Sequence, residues 1–137
     1  MSLSLNLLTT PAQCDAVVAA IDEKLRIIGK RAFDADYQRD GASGDAVNIS
    51  NRLARLSSKI TELNASLGNL TPGTDEYRKT EEELTDAQYE QRKLGYRQAD
   101  RGPVYLVLRE ADVDETAERR ASLEASRAAV LARRAQL

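Results

Sequence analysis

The sequence predicts an all-α protein built of antiparallel helical hairpins, which form an elongated coiled coil or a four-helix bundle. Three observations lead there. Charged residues make up 31% of the chain and aromatic residues only 4%, with no Trp, a usage nearer to bundles and coiled coils than to mixed cores. Leu, Ile and Val recur at alternating four- and three-residue spacings, the period of one helical face. Gly and Pro, which punctuate helices, gather in a few short stretches. With 137 residues, the expectation is one helical domain spanning 1–137.

The first helix is predicted over about 11–38. Thr10, Pro11 and Gln13 form a capping-box start, with a hydroxyl before the helix, proline at its first position and an amide three residues after the cap. Its apolar seam runs Cys14, Val18, Ile21, Leu25, Ile28, Ala32, Ala35, and Val17, Ile27, Phe33 and Tyr37 are expected to widen it. RDGASGD (39–45) concentrates residues that tolerate turn geometry and cap locally, so it is expected to reverse the chain. The second helix, about 45–69, carries the most regular seam: Ala46, Ile49, Leu53, Leu56, Ile60, Leu63, Leu67, Leu70.

Pro72 and Gly73 interrupt the pattern, and Thr74, Asp75 and Glu76 suit the start of a third helix over about 75–100. Its seam, Tyr77, Thr80, Leu84, Ala87, Gln91, Leu94, is half polar, suited to pairing with the second helix and poor material for a deep core. Gly102-Pro103 is expected to end that helix. After an apolar linker at 101–111, Asp112 and Glu115 offer a second capping box for a fourth helix over about 113–136. Acids between Glu110 and Glu118 would then sit at its positive end and Arg119, Arg120, Arg127, Arg133 and Arg134 nearer its negative end. Its Ala-rich surface, with Leu123, Val130 and Leu137 spaced by sevens, permits close approach to a neighbour.

The linker holds the densest apolar run, Val104, Tyr105, Leu106, Val107, Leu108. Periodicity does not separate a short strand from a two-turn helix over five residues. The alternation of Leu3, Leu5 and Leu7 with Ser2, Ser4 and Asn6 favours a strand, so a minor two-stranded β element pairing 2–8 with 103–109 is expected. Two strands alone are marginal, and such a pair needs a bundle end or another subunit beneath it. The run is therefore read either as a plug for one end of a bundle or as an assembly contact. The candidate protein-interaction residues are Val104, Tyr105, Leu106, Val107, Leu108, Tyr77, Leu84 and Leu94.

The inventory argues against catalysis. The chain has no His and one Cys, which removes the usual general base, the common nucleophile pairs, and the His-containing di-iron and zinc sites. No Gly-rich phosphate loop organises the remaining carboxylates, Tyr, Lys and Arg. DADYQRDGASGD (34–45) spaces Asp34, Asp36, Gln38, Asp40 and Asp45 somewhat like a calcium loop. It has Arg39 at the position that needs Gly and Asp45 at the position that takes Glu, so a solvated acidic turn is the better reading. No catalytic residue, metal ligand, cofactor or small-molecule substrate is inferred. Cys14, on the apolar face, reads as a small buried hydrophobe.

The formal net charge of −2 gives no overall field that favours nucleic acid. Arg120, Arg127 and Arg134 nevertheless share one helical face, which supplies a runner-up reading as a small nucleic-acid-associated protein. Internal ion pairing of that face is the simpler expectation. The apolar runs are far too short to span a bilayer, and MSLSLNLL lacks the basic start of a secretory leader, so a cytoplasmic protein, or one incorporated into a particle assembled there, is expected. The leading expectation is a non-enzymatic structural, assembly or adaptor protein. It would act through coiled-coil contacts with protein partners and copies of itself, as in a phage or secretion-type assembly.

Overall fold

A computed structural model describes residues 2–137. A single 3-10 turn at Leu5–Leu7 precedes three α-helices: α1 (Pro11–Asn69), α2 (Asp75–Arg101) and α3 (Pro103–Ala135). No strand occurs among the described residues, so the chain is all-α and the expected β pairing of 2–8 with 103–109 is absent.

The start of α1 is the capping box read from the sequence. The Gln13 N–H donates to Thr10 Oγ1 at 3.2 Å, and Gln13 Oε1 accepts from the Thr9 and Thr10 N–H groups at 2.8 and 3.3 Å. These bonds satisfy donors that a helix N-terminus leaves open.

The expected reversal at 39–45 does not occur, because α1 continues through it for 59 residues in all. The reason lies in the seam on either side. Cys14, Ile21, Ile28, Ala35, Ala42, Ile49, Leu56, Leu63 and Leu70 follow one another every seven residues, and Ala42 inside the glycine-rich stretch is buried. Val18, Leu25, Ala32, Ala46, Leu53, Ile60 and Leu67 hold the companion positions, all half-buried, with Arg39 taking the one remaining place. Stopping the helix and restarting it would forfeit hydrogen bonds and require a second nucleation. Gly41 and Gly44 cost about 1 kcal/mol each as helix-interior glycines, too little to force that break.

The α1–α2 connection is the break that the sequence indicated. Gly73 takes φ 88°, the left-handed region that glycine enters without steric cost. The Thr74 hydroxyl accepts from the Tyr77 N–H at 3.3 Å and donates to the Thr71 carbonyl at 2.8 Å. Asp75 and Glu76 stand in the first turn of α2, where the macrodipole favours carboxylates.

The junction of α2 and α3 is one residue long. Gly102 ends α2, while its carbonyl accepts from the Leu106 N–H at 3.1 Å as α3 begins. Pro103 holds the first position of α3, where its missing N–H sacrifices no helical bond. A Cβ at residue 102 would run into the Gln98 carbonyl oxygen. The apolar linker and the later helix start at Asp112 therefore give way to continuous helix from residue 103. The first turn of α3 contains no acid, and the Glu110–Glu118 carboxylates lie inside the helix rather than at its positive end.

The chain divides into two compact units. One combines the described residues up to Arg39 with Arg109–Leu137, and the other comprises Asp40–Leu108. In the first, Cys14 (0% exposed), Ile21 and Val130 (2%) form the core. Leu5 and Leu8 of the N-terminal turn pack against it, as do Val17, Val18, Leu25 and Leu123. Arg133 Nε fixes that turn by donating to the Leu8 carbonyl at 3.1 Å. In the second unit, Leu56, Ala87 and Leu94 are the core, with Leu53, Ile60 and Leu63 against them. Burying each full-sized aliphatic side chain contributes about 1.5–3 kcal/mol.

Two substitution sets test this architecture by urea and thermal denaturation. Gly41→Ala and Gly44→Ala have open space for the added methyl, and each is expected to stabilise the protein by about 0.5–1 kcal/mol. Destabilisation by both would restore the turn. Gly102→Ala is expected to destabilise by about 1–3 kcal/mol through overpacking. Cys14 should resist a thiol reagent in the folded protein and react fully in denaturant, and rapid native labelling would contradict its burial.

Candidate interaction surface

The helical start at Pro103 divides the apolar run between two faces. Tyr105 and Leu106 are half-buried, whereas Val104 (70% exposed), Val107 and Leu108 project outward. A strand would have alternated them instead. The Arg101 guanidinium lies 4.8 Å from the centre of the Tyr105 ring, a cation–π distance. Arg109 donates to Gln38 Oε1 at 2.7 Å and to Asp112 Oδ2 at 3.3 Å, joining α3 to α1 within the first unit.

The remaining interaction candidates separate similarly. Leu84 and Leu94 are buried, Leu94 to 4% exposure, and Leu94 belongs to the core of the second unit. Tyr77 is half-buried. Of the eight, Val104, Val107 and Leu108 are the exposed ones.

Two aromatic residues expected to widen the α1 seam point elsewhere. Phe33 and Tyr37 are 71% and 75% exposed. At about 100° per residue they stand roughly 120° and 160° from the middle of the seam. That angular spacing was available in the sequence, and their apolar character obscured it. Ile27 also leaves the seam and remains exposed.

The arginine face of α3 is engaged within the chain. Arg127 Nε donates to Asp22 Oδ1 and Arg134 Nε to Asp15 Oδ1, both at 2.7 Å. The seven-residue step on α1 matches the seven-residue step in the opposite sense on α3, so these segments run antiparallel. Arg120 Nε lies 3.5 Å from Glu124 Oε1 on its own helix. The hydrogen bond from Arg134 to Asp15, and then their charge attraction, raise the Arg134 pKa. In the second unit, Arg52 Nη2 meets Glu90 Oε1 at 2.6 Å.

Arg26 pairs with Glu23 on the outer surface of α1, at 2.6 Å, and lowers the Glu23 pKa chiefly through the hydrogen bond. A lowered carboxylate pKa gives a contribution that is present at neutral pH and lost as acidification passes the folded-state value. Both groups are fully exposed, so this pair adjusts the helix surface rather than governing the fold.

A groove of about 420 Å³ lies within the first unit. Ile27, Ile28 and Leu123 supply its apolar lining, Ser122 adds a hydroxyl, and Lys24, Arg31 and Arg119 contribute the charges. Lys24 and Arg31 make no ion pair among the described residues, and Arg119 has only a 3.9 Å approach to Glu115. A second hollow shares Lys24 and Leu123 with this groove and is bordered by Leu3, Leu5 and Leu8. The chain thus lays its own leucine-bearing N-terminal segment beside one stretch of the α1–α3 surface and leaves the adjoining stretch open.

Residues 34–45 being helical, the carboxylates that resembled a calcium loop are distributed around α1. Among the described residues no group of three or more potential ligands is arranged to hold a metal ion, and no helix is long and apolar enough to cross a membrane. No protein family, curated protein or solved structure matches this chain.

Paired substitutions distinguish core from surface. Leu94→Ala is expected to cost about 2–5 kcal/mol in urea unfolding, whereas Val107→Ser should change stability by about 0.5 kcal/mol or less. Equal losses would mean that Val107 is covered within the folded chain.

Proposed function

We propose that this chain is a non-enzymatic assembly or adaptor protein that forms homo-oligomers and binds protein through coiled-coil contacts. The observation carrying the proposal is that each unit separately exposes large apolar side chains directed away from its seam, Phe33 and Tyr37 of α1 in the first and Val104, Val107 and Leu108 of α3 in the second. Large apolar side chains clustered outward on otherwise charged helices are the usual mark of a protein-contact surface. Packing supports the same reading. Each α1 seam is about two positions in seven wide, the width that one neighbouring helix covers and narrower than a bundle helix normally uses. Further helices from a second chain or a partner would extend that core into a coiled coil or bundle.

The absence of His and the lone, buried Cys14 support a role without catalysis. The α1 carboxylates that engage Arg127 and Arg134 make a phosphate-tracking role for that face less favourable than protein contact. A particle subunit or an adaptor in the cytoplasm accords with this character.

Sedimentation velocity across a concentration series is the test. The weight-average mass should rise above the 15.1 kDa of one chain, and Val104→Asp with Leu108→Asp should return it towards the monomer while circular dichroism remains helical. A monomer at every concentration would overturn the oligomer reading. Nucleic-acid binding that weakens steeply with salt and disappears with Arg120→Glu and Arg127→Glu would replace the proposal with the arginine-face reading.

A further inference from the structure

We infer that two copies of this chain pair antiparallel through the outward face of α2, in a register set by the alternating charges of Lys79, Asp86, Lys93 and Asp100. The inference rests on the self-association proposed above and identifies one contact that aligns the copies. The whole of α2 belongs to the second unit. Its buried side carries Leu84, Ala87 and Leu94, and Tyr96, nine positions from Ala87, stands about 180° around the helix from it. On that outward side Glu82, Thr85, Tyr89, Arg92, Tyr96 and Ala99 follow one another at alternating three- and four-residue steps, which makes a second seam, and all six are exposed. Tyr89 and Tyr96 are 59% and 69% exposed, and Tyr and Arg are residue types that proteins concentrate at their contacts.

Lys79, Asp86, Lys93 and Asp100 run along one flank of this seam, seven residues apart and alternating in sign. All four are exposed and make no ion pair among the described residues. Lys93 Nζ lies 5.4 Å from the centre of the Tyr89 ring, which keeps its charge at the edge of the seam. A two-fold axis across α2 brings this flank against the same flank of the second copy. In one register Asp86 then meets Lys93 and Lys79 meets Asp100, each pair occurring twice by symmetry. The same register sets Thr85 opposite Tyr96, Glu82 opposite Ala99 and Tyr89 opposite Arg92, so a guanidinium comes within reach of each Tyr89 ring. A slip of one heptad brings like charges together, and a slip of two halves the number of pairs. A parallel pairing would instead set the flank against Glu81, Gln88 and Gly95, which offer one acid and no base. Exposed ion pairs add little affinity singly, so this pattern fixes direction and register while the apolar side chains invoked above strengthen association.

The test is sedimentation of full-length charge variants. Lys93→Glu turns both contacts with Asp86 repulsive and should weaken self-association about tenfold. Adding Asp86→Lys recreates the pair with its signs exchanged and should restore wild-type association. Adding Glu62→Lys instead, at an exposed position on α1, restores the net charge equally and should leave association weak. Asp86 and Lys93 are about two helical turns apart in one chain, too far to pair with each other, so rescue reports a contact between copies. All the substituted positions are exposed, and circular dichroism establishes that each variant remains helical. Wild-type oligomers that survive Lys93→Glu unweakened would overturn the α2 pairing and leave self-association standing. Failure of Asp86→Lys to rescue, or equal rescue by Glu62→Lys, would overturn the register. A wild-type chain that stays monomeric would overturn both the pairing and the oligomer reading on which it rests.

Discussion

The structure depends on a single line of side chains along α1. From Cys14 to Leu70, one small or aliphatic residue returns every seventh position, and α2 and α3 supply the packing opposite it in their respective units. With few aromatic residues and no broad core, removal of this line from water is the main favourable term available to offset helix ordering. The ion pairs between α1 and its neighbours are solvent-exposed, so they set alignment more than stability. Asp15 with Arg134, and Asp22 with Arg127, mark the alignment at equal steps along the two helices.

The seam also outweighs local preference. RDGASGD has the composition of a turn, and its two glycines weaken the helix that runs through it. Ala35, Ala42 and Ile49 nevertheless remain in phase across the stretch, and proline is absent. At 71–74, Pro72 prevents normal helix continuation and Gly73 adopts a conformation unfavourable to other residues, so the same seam ends there. Glycine weakens a helix by degrees, while proline followed by a left-handed glycine terminates it.

Much of this was legible in the sequence. Thr10 and Gln13 announced the start of α1, Thr74 announced α2, and the aliphatic spacing identified the helical faces. The continuity of α1 was legible too, since Ala35 and Ala46 are eleven residues apart, one four-residue step plus one heptad. Turn composition masked it. Tyr105 and Leu108 were harder to place because five apolar residues satisfy strand and helix patterns alike, and the position of Pro103 as a helix start decides between them. The open groove was less accessible to sequence reasoning. It joins Lys24 and Arg31 to Arg119 from a distant part of the chain, and no local periodicity registers that proximity.

The one-residue joint at Gly102 makes the angular phase of α3 dependent on α2. One added residue there would turn the first turns of α3 by about 100° against α2, carrying Tyr105 and Leu106 out of their half-buried positions. The Thr71–Thr74 bend has non-helical backbone in which an added residue can be absorbed. Length variation in this fold should therefore accumulate at the bend and be nearly forbidden at the joint, where sequence length behaves as a rotational coordinate.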